Sequence, residues 1–292
     1  MRVLVTGAGG LLGGRLAALL LADGFSVIGA CHAAPPPEGV PHTPLDLLDP
    51  GSVERALDAT DAEAVLHSAV LQSEACEARP HDAEALNHRA TESLAKACRA
   101  RGLRLVALST DMVFAGDRPF LGEEDAPGPL QTYGRTKLAG EEALLAAHPG
   151  AAVARIALVV GRGHGPRATA SESIAWALRG AGRALRLFTD EYRTPVDPES
   201  VAQGVAGLLR GTASGIFHLA GSERISRFEL GRRVAALLGL SPDAIEAARQ
   251  ADHPGLARPP DLSLDISRAR SILGFSPRPL DEALREGRAG PA

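Results

Sequence analysis

Tyr133 and Lys137 stand four residues apart in the run Tyr133-Gly134-Arg135-Thr136-Lys137, which on a helix places both on one face. A phenol, with a pKa near about 10 in water, gives and takes protons poorly at neutral pH. An ammonium beside it stabilises the phenolate and draws that pKa toward the working range. The pair is therefore a candidate proton donor, Tyr133, with its modulator, Lys137; the lysine can also hydrogen-bond a nicotinamide ribose, so both residues are candidate cofactor contacts as well. Upstream, Ser109-Thr110-Asp111 carries a hydroxyl, on Thr110, that can hydrogen-bond a carbonyl oxygen as it is protonated. The plainer alternatives are a solvated helix face for the pair and a loop-and-capping cluster for the triplet.

A second constellation is Gly7-Ala8-Gly9-Gly10-Leu11-Leu12-Gly13. It directly follows the β-branched apolar run Arg2 to Thr6 and opens the helical periodicity of Leu11 to Ala22, the context this glycine spacing requires. Gly7 can make the tight turn, Gly10 lets a pyrophosphate approach the backbone, and Gly13 lets helix and strand pack closely. The unpaired N–H groups at Leu11 and Leu12 then face the phosphates. A dinucleotide is the expected ligand. The second strand, Phe25 to Ala30, runs into Cys31-His32 without an acid to grip both ribose hydroxyls. That end tolerates a 2′-phosphate, which His32 can help neutralise, so NADP(H) is slightly preferred and NAD(H) remains open.

The elements that must position these residues alternate. Asp49-Pro50 suits N-cap and N1 of a helix through Leu57. Ala64 to Ala69 reads as a strand, Ala83 to Arg101 as a long helix closed by Gly102, and Leu103 to Ser109 as the next strand. Tyr133 to Ala147 is a helix and Ala152 to Val160 a strand. This rhythm predicts an α/β fold with a doubly wound, Rossmann-type parallel sheet. Thr110 then lies just beyond the C-terminal end of a strand, where such sheets bind ligands. After Gly161 the rhythm loosens into helices at Thr169 to Leu178, Glu199 to Leu209, Arg227 to Leu238 and Ser267 to Leu273, with strands at Leu185 to Phe188 and Ile216 to Leu219. Residues 1–160 form the expected dinucleotide-binding domain, with later segments near 196–220 returning to it. Residues 161–292 form a smaller C-terminal substrate-binding portion, in which Pro254 to Pro260 is a loop and Trp176 a packed helix residue.

Composition narrows the rest. The 292 residues are 45% hydrophobic with a net charge of -4, which gives no electrostatic case for a nucleic acid polymer or an anionic membrane. No apolar run reaches about 18 residues, and the start of the chain lacks signal-peptide character. Three scattered cysteines fit idle thiols in a reducing cytoplasm. His32, His42, His67 and His253 have no metal-ligand spacing, so no metal is expected. A single asparagine, Asn87, an arginine excess and 21 prolines fit a hot habitat or GC-rich coding equally well.

Thr-Gly-x-x-Gly-x-x-Gly at Thr6 to Gly13, with Tyr133 and Lys137, resembles the extended short-chain dehydrogenase/reductases. Within them, Leu108 to Gly116 is similar to the Ser-Thr-Asp-Tyr-Val-Phe-x-Gly segment of dTDP-4-dehydrorhamnose reductases. Leu45 to Asp49 resembles that family's adenine-side loop, which would set Asp46 and Leu47 against the base. Ser68-Ala69-Val70 matches the loop under the nicotinamide, and Asn87 stands where the family has its Asn-Val pair. Asp190 to Pro195 is similar to a substrate region, where Arg193 would meet the diphosphate through its planar fork. The resemblance implies hydride transfer to C4 of a 4-keto nucleotide sugar. Tyr133 would give the proton, Thr110 would polarise the carbonyl, and Asp111 and Met112 would line the substrate. Met112 replaces the glutamate of dehydratase relatives, against elimination chemistry. The acid-free second strand argues mildly against an NAD-retaining epimerase. Leu158 stands where the family places a tryptophan, leaving the sugar open, and a homodimer is compatible with the likeness. A rival resemblance, at Leu45 to Asp49, Arg79-Pro80 and Arg258 to Asp265, is to the NADP-binding regulatory β subunit of methionine adenosyltransferase.

Overall fold

The computed structural model describes residues 1–180, 185–253 and 255–286. β1 (Arg2–Thr6) ends on the glycine turn and feeds α1 (Leu11–Ala22). β2 (Ser26–Cys31), β3 (His42–Pro44) and α2 (Pro50–Thr60) follow. As the Asp-Pro pair predicts, the Asp49 carboxylate caps α2, accepting from Gly51 N at 2.9 Å. Next come β4 (Ala64–His67), α3 (Ser73–Ala78), α4 (Pro80–Ala83) and α5 (Ala90–Ala100). β5 (Arg104–Thr110), α6 (Thr132–Ala147) and β6 (Ala152–Ile156) complete the regular alternation.

The second half comprises α7 (Ala170–Gly180), β7 (Leu185–Phe188), β8 (Tyr192–Arg193), α8 (Pro198–Arg210) and β9 (Gly215–Leu219). Then follow β10 (Ile225–Ser226), α9 (Arg227–Leu237), β11 (Ile245–Ala248), β12 (Asp261–Leu262), α10 (Ser267–Leu273) and α11 (Leu280–Glu286). Residues 255–260 carry no helix or strand; Pro254 and 287–292, part of the expected loop and C-terminal portion, lie outside the described residues.

Seven strands form one parallel sheet in the order β3-β2-β1-β4-β5-β6-β9. The chain leaves β1 toward β2 on one side and resumes at β4 on the other, which opens a crevice at the strand ends between them. Alternation along β1 sends Val3 and Val5 into a core with Leu16, Leu20, Val201 and Leu208. Leu4 goes to the opposite core with Leu57, Leu94 and Leu105. A third, smaller cluster joins Ile174, Leu230, Val234 and Leu284 away from the sheet. Among the described residues no helix is long and apolar enough to cross a membrane.

Two expected elements differ. The single helix from Ala83 to Arg101 is interrupted by a π-helical turn, Glu84–Arg89. The reason lies across the interface: a side chain at Gly140 of α6 would collide with the Asn87 carbonyl, so the two backbones touch there. Periodicity cannot report such a contact. The strand expected to reach Val160 stops at Ile156, after which only Val159 bridges back, to Val196. Trp176 is not packed as expected; it is 39% exposed on α7.

Candidate active site

A cleft of about 840 Å³ opens at the carboxyl ends of the strands. Gly7, Gly10, Leu11, Leu12, Gly13, His32, Asp46, Leu47, Ser68, Ala69 and Val70 line one end of the chemistry; Thr110, Asp111, Met112, Tyr133, Lys137 and Arg193 line it as well. The candidate catalytic, cofactor and substrate residues thus line the same space, whereas Asn87 is buried behind it.

The glycine turn fits a dinucleotide. Gly7 has a φ of 67°, a conformation that favours glycine, and a Cβ there would stand 2.7 Å from the Ala69 backbone. A Cβ on Gly13 would meet the Gly7 carbonyl and stand 2.7 Å from Ser68 Oγ. At Gly10 it would meet only Gly7 O, at 3.1 Å, so the turn is open on that side. The first turn of α1 has no acidic residue and no side-chain cap, and its helical bonding starts with Gly14 N to Gly10 O at 2.9 Å. The preceding N–H groups are left for an anion. At the far end, the acid missing from β2 arrives through space: Asp46 Oδ2 lies 3.9 Å from His32 Nε2.

Behind this turn runs a buried chain of hydrogen bonds. Thr91 Oγ1 donates to Asn87 O at 3.0 Å, so toward His67 Nε2, at 3.1 Å, it can only accept. His67 therefore carries its proton on Nε2, and Nδ1 accepts from Thr6 Oγ1 at 2.8 Å. Burial, with the nearby Lys137 charge, pushes the His67 pKa down to about 3, which keeps the ring neutral. Thr6 Oγ1 in turn accepts from the Ser68 and Ala69 amides at 3.2 and 3.3 Å. Asn87 holds Leu71 through both backbone groups, at 2.8 and 3.0 Å, and reaches Thr136 Oγ1 on α6 at 3.1 Å. The loop after β4 is thereby tied to β1 on one side and to the helix of Tyr133 on the other.

The start of α6 is fixed by the Glu77 carboxylate, which accepts from Thr132 N at 2.6 Å and Thr132 Oγ1 at 2.9 Å. Tyr133 then lies against the Thr110 hydroxyl, while Lys137 Nζ donates to Leu108 O at 2.8 Å. Burial pushes the Tyr133 pKa up and the Asp111 charge adds to it, against the opposing hydrogen bond with Thr110. Lysine does not set this phenol as the spacing implied. Burial instead lowers the Lys137 pKa to about 8, opposed by the Glu141 charge one turn on. Thr110 both caps the turn at Asp111–Val113, accepting from Met112 N at 3.2 Å, and donates to Asp111 Oδ1 at 3.1 Å. The capping and the site-facing readings of this triplet are therefore both true. Burial raises the Asp111 pKa to about 6, against the Arg193 charge and the Thr110 hydrogen bond. Ser109 Oγ and Asp111 Oδ2 are buried without a hydrogen-bond partner.

Arg193 is not at the surface. Its guanidinium is buried, and Nη1 donates to Tyr192 O at 2.6 Å and Pro259 O at 3.3 Å. It also pairs with Glu191 at 3.3 Å and approaches Asp111 at 3.9 Å. It is thus not an exposed ion pair, and it still lines the cleft. Glu191, given no role of its own within the Asp190 to Pro195 likeness, is the hub. Burial works to raise its carboxyl, but the hydrogen bond from Arg258 and the charges of Arg193, Arg258 and Arg227 hold it below its ordinary value. Arg167, Arg227 and Arg258 also line the cleft. No local spacing marks them; only Arg258-Pro259-Pro260 stood out, and for a different resemblance.

A glycine turn before α1, a hydroxyl at the end of β5 and a Tyr/Lys pair on α6, all facing one cleft, define an NAD(P)-dependent reductase of the short-chain dehydrogenase/reductase class. The chain belongs to the RmlD substrate binding domain family, whose model matches residues 1–288. It is 33% identical over 293 residues to the probable low-salt glycan biosynthesis reductase Agl14 of Haloferax volcanii, covering 97% of this chain and 96% of that protein. It is 31% identical to the dTDP-4-dehydrorhamnose reductase of Mycolicibacterium smegmatis, covering 98% and 84%. The methionine adenosyltransferase 2 subunit beta of Rattus norvegicus is 29% identical, covering 93% and 82%. Among solved structures, a hypothetical dTDP-4-dehydrorhamnose reductase from Sulfolobus tokodaii has a TM-score of 0.82 at 30% identity, covering 94% of this chain and 96% of that one. The Thermus thermophilus UDP-glucose 4-epimerase, in complex with NAD, has a TM-score of 0.85 at 25% identity, covering 98% and 97%.

Proposed function

We propose that the protein reduces the 4-keto group of a 4-keto-6-deoxy nucleotide sugar, the reaction class for which its dTDP-4-dehydrorhamnose reductase relatives are named. The observation that carries this is that Tyr133, Lys137 and, at the carboxyl end of β5, Thr110 line the same cleft as the glycine turn. The nicotinamide dinucleotide, when bound, supplies the hydride. Gly7, Gly10 and Gly13 with the N–H groups of Leu11 and Leu12 hold its pyrophosphate. Asp46 and Leu47 meet the adenine side, His32 the ribose, and Ser68, Ala69 and Val70 the nicotinamide end. In this division residues 1–160, with 196–220 returning to the sheet, serve the dinucleotide, and 161–292 serve the sugar.

Tyr133 delivers the proton to the carbonyl oxygen. Burial and Asp111 keep the phenol in the protonated form that can donate, and the phenolate it leaves behind needs a cation to stabilise it. Lys137 has one donor on Leu108 O, leaving others for the cofactor ribose and for the phenolate once formed. Thr110 hydrogen-bonds the carbonyl by turning its proton away from Asp111, which then lines the sugar with Met112. NADP(H) is preferred through His32, but only by a small factor, because Asp46 beside it offers a ribose hydroxyl an acceptor and opposes a 2′-phosphate.

The test is purified protein with NADPH or NADH and dTDP- and UDP-linked 4-keto-6-deoxy sugars, followed by loss of the nicotinamide absorbance. Turnover that disappears in Tyr133→Phe supports the reading. No turnover with any ketosugar, together with tight NADP binding and a stable protein partner, would overturn it in favour of the binding-subunit role named for the methionine adenosyltransferase relatives.

A further inference from the structure

Between β6 and α7 the chain forms a glycine-rich strap, Gly161-Arg162-Gly163-His164-Gly165-Pro166-Arg167-Ala168-Thr169. Its two ends are tied together: Thr169 Oγ1 donates to Gly161 O at 2.7 Å, and Gly161 N to Ser171 Oγ at 2.9 Å. Thr169 and Glu172 also cap α7 reciprocally, Thr169 N donating to Glu172 Oε2 at 2.8 Å and Glu172 N to Thr169 Oγ1 at 3.3 Å. Gly161 and Gly165, with φ of 79° and 74°, let the backbone turn at the start and at the tip. A loop closed at its base in this way holds its shape without a partner.

The tip of the strap rests on the glycine turn. His164 N donates to Leu11 O at 3.0 Å. A Cβ on Gly14, the glycine of α1 that the Gly7, Gly10 and Gly13 spacing leaves without a role, would stand 2.6 Å from His164 Cγ. The imidazole is thus seated where the helix has no side chain. A Cβ on Gly163 would stand 3.0 Å from Leu11 Cγ, and one on Gly165 3.6 Å from Gly9 O. Arg167 follows this tip, exposed, lining the cleft and without an ion pair among the described residues. A pyrophosphate brings two negative charges, whereas a helix N-terminus offers about half a positive one. The other lysine and arginines lining the cleft are engaged elsewhere, Lys137 on Leu108 O and Arg193, Arg227 and Arg258 around Glu191. Asp46 and Glu74, which line it too, are acids. Arg167 is the cation left, on a segment hydrogen-bonded to α1.

We propose that Arg167 binds the pyrophosphate of the nicotinamide dinucleotide, brought to the first turn of α1 by the strap, with His164 in the Gly14 notch as the positioning residue that anchors it. The phosphates then have the backbone N–H groups of α1 and the fork of a guanidinium, which can give two parallel N–H bonds to phosphate oxygens. NADP and NAD share their pyrophosphate, so Arg167 strengthens both alike and His32 and Asp46 keep the choice between them. This assignment rests on the reading of the glycine turn as a dinucleotide site and is independent of which sugar is reduced.

The experiment measures binding to the full chain: NADPH and NADH by nicotinamide fluorescence, and ADP-ribose, which has the pyrophosphate without the nicotinamide, by calorimetry. Arg167→Met weakens all three by about 3- to 10-fold, a modest factor because water screens an exposed charge. The ratio of NADPH to NADH affinity stays within about twofold, and added salt weakens NADH less than it does in the wild type. The melting temperature without ligand is unchanged, because the side chain is exposed and unpaired. His164→Ala speeds NADH dissociation by about 2- to 5-fold in stopped flow. Combined with Arg167→Met it adds no further loss of affinity, since the strap acts through Arg167. Unchanged affinity for all three ligands in Arg167→Met overturns the proposal, as does a wild type that binds no ADP-ribose. A loss for NADH without one for ADP-ribose also overturns it, by moving Arg167 to the nicotinamide. So does a loss confined to UDP, titrated into NADP⁺-saturated protein, by moving it to the sugar nucleotide. Weaker ADP-ribose binding in Arg167→Met, with no ketosugar reduced by the wild type, leaves the strap standing and removes the reductase reading. Ketosugar turnover by the wild type, with unchanged ADP-ribose affinity in Arg167→Met, does the reverse.

Discussion

The two halves of the cleft are made of different material. The half proposed for the dinucleotide is mostly backbone: a turn of glycines, the open first turn of α1 and the loop at Ser68 and Ala69, whose amides donate to Thr6. The half proposed for the sugar is mostly charged side chain, with Asp111, Glu191, Arg193, Arg227 and Arg258 brought together from four separate segments. Backbone recognition needs space and direction, which fixed glycine spacing supplies locally. Side-chain recognition needs partners, and partners come from tertiary structure. The first half therefore tolerates little change in sequence, whereas the second can be re-tuned one residue at a time.

The largest effect expected is at the border between the halves. Tyr133→Phe removes the proton donor and should lower kcat by about 10²- to 10⁴-fold. Dinucleotide affinity, read by nicotinamide fluorescence, should stay within about twofold, since the glycine turn and the first turn of α1 are untouched. A parallel loss of dinucleotide binding would break the division between halves.

Next in size is a pair of glycine changes that separates packing from ligand approach. In Gly13→Ala the new methyl meets the Gly7 carbonyl and lies 2.7 Å from Ser68 Oγ. Overpacking of this kind costs about 1 to 3 kcal/mol, seen as a lower melting temperature with no ligand present. In Gly10→Ala the methyl meets only Gly7 O at 3.1 Å, so the free protein should melt almost unchanged while dinucleotide affinity falls. Equal melting losses in both would mean that Gly10 serves packing and not the pyrophosphate.

The legible and the illegible follow the same border. β1, α1, the cap of α2 and the Tyr/Lys helix could be read because each is dictated by neighbours in sequence. The π turn at Glu84–Arg89 could not, since it follows from the touch of Gly140 on Asn87. Nor could the protonation of the site. The spacing of Tyr133 and Lys137 implied a lysine that lowers the phenol, but burial and Asp111 raise it, and the ammonium is turned to Leu108. Burial is a property of the packed cleft, invisible in a five-residue motif.

That burial predicts a pH limb of intermediate size. Lys137, lowered to about 8, is an ammonium below that pH and neutral above it. If the charge serves the developing phenolate, kcat/KM should be flat toward neutral pH and fall up to about tenfold per unit above about 8. Lys137→Arg, which stays charged throughout that range, should abolish the limb even if its plateau is lower. A limb unmoved by that change would assign it to another group and leave Lys137 as a ribose ligand only.

The smallest effect lies farthest from the chemistry, where the dinucleotide half does use side chains. His32 and Asp46 are 76% and 47% exposed with 3.9 Å between them, and water screens both from a ligand phosphate. Removing the carboxylate charge should therefore matter by only about 0.2 to 1 kcal/mol. Asp46→Asn is expected to raise the preference for NADPH over NADH by about 1.5- to 5-fold, measured as the ratio of the two kcat/KM values. His32→Ala should move the same ratio the other way by a similar factor. A drop in both cofactors alike in Asp46→Asn would place that residue on the base, which the two forms share, and leave His32 alone to tell them apart. Either outcome keeps the lesson of the comparison: exposed charges adjust selectivity by small factors, and buried ones, as in the sugar half, decide binding.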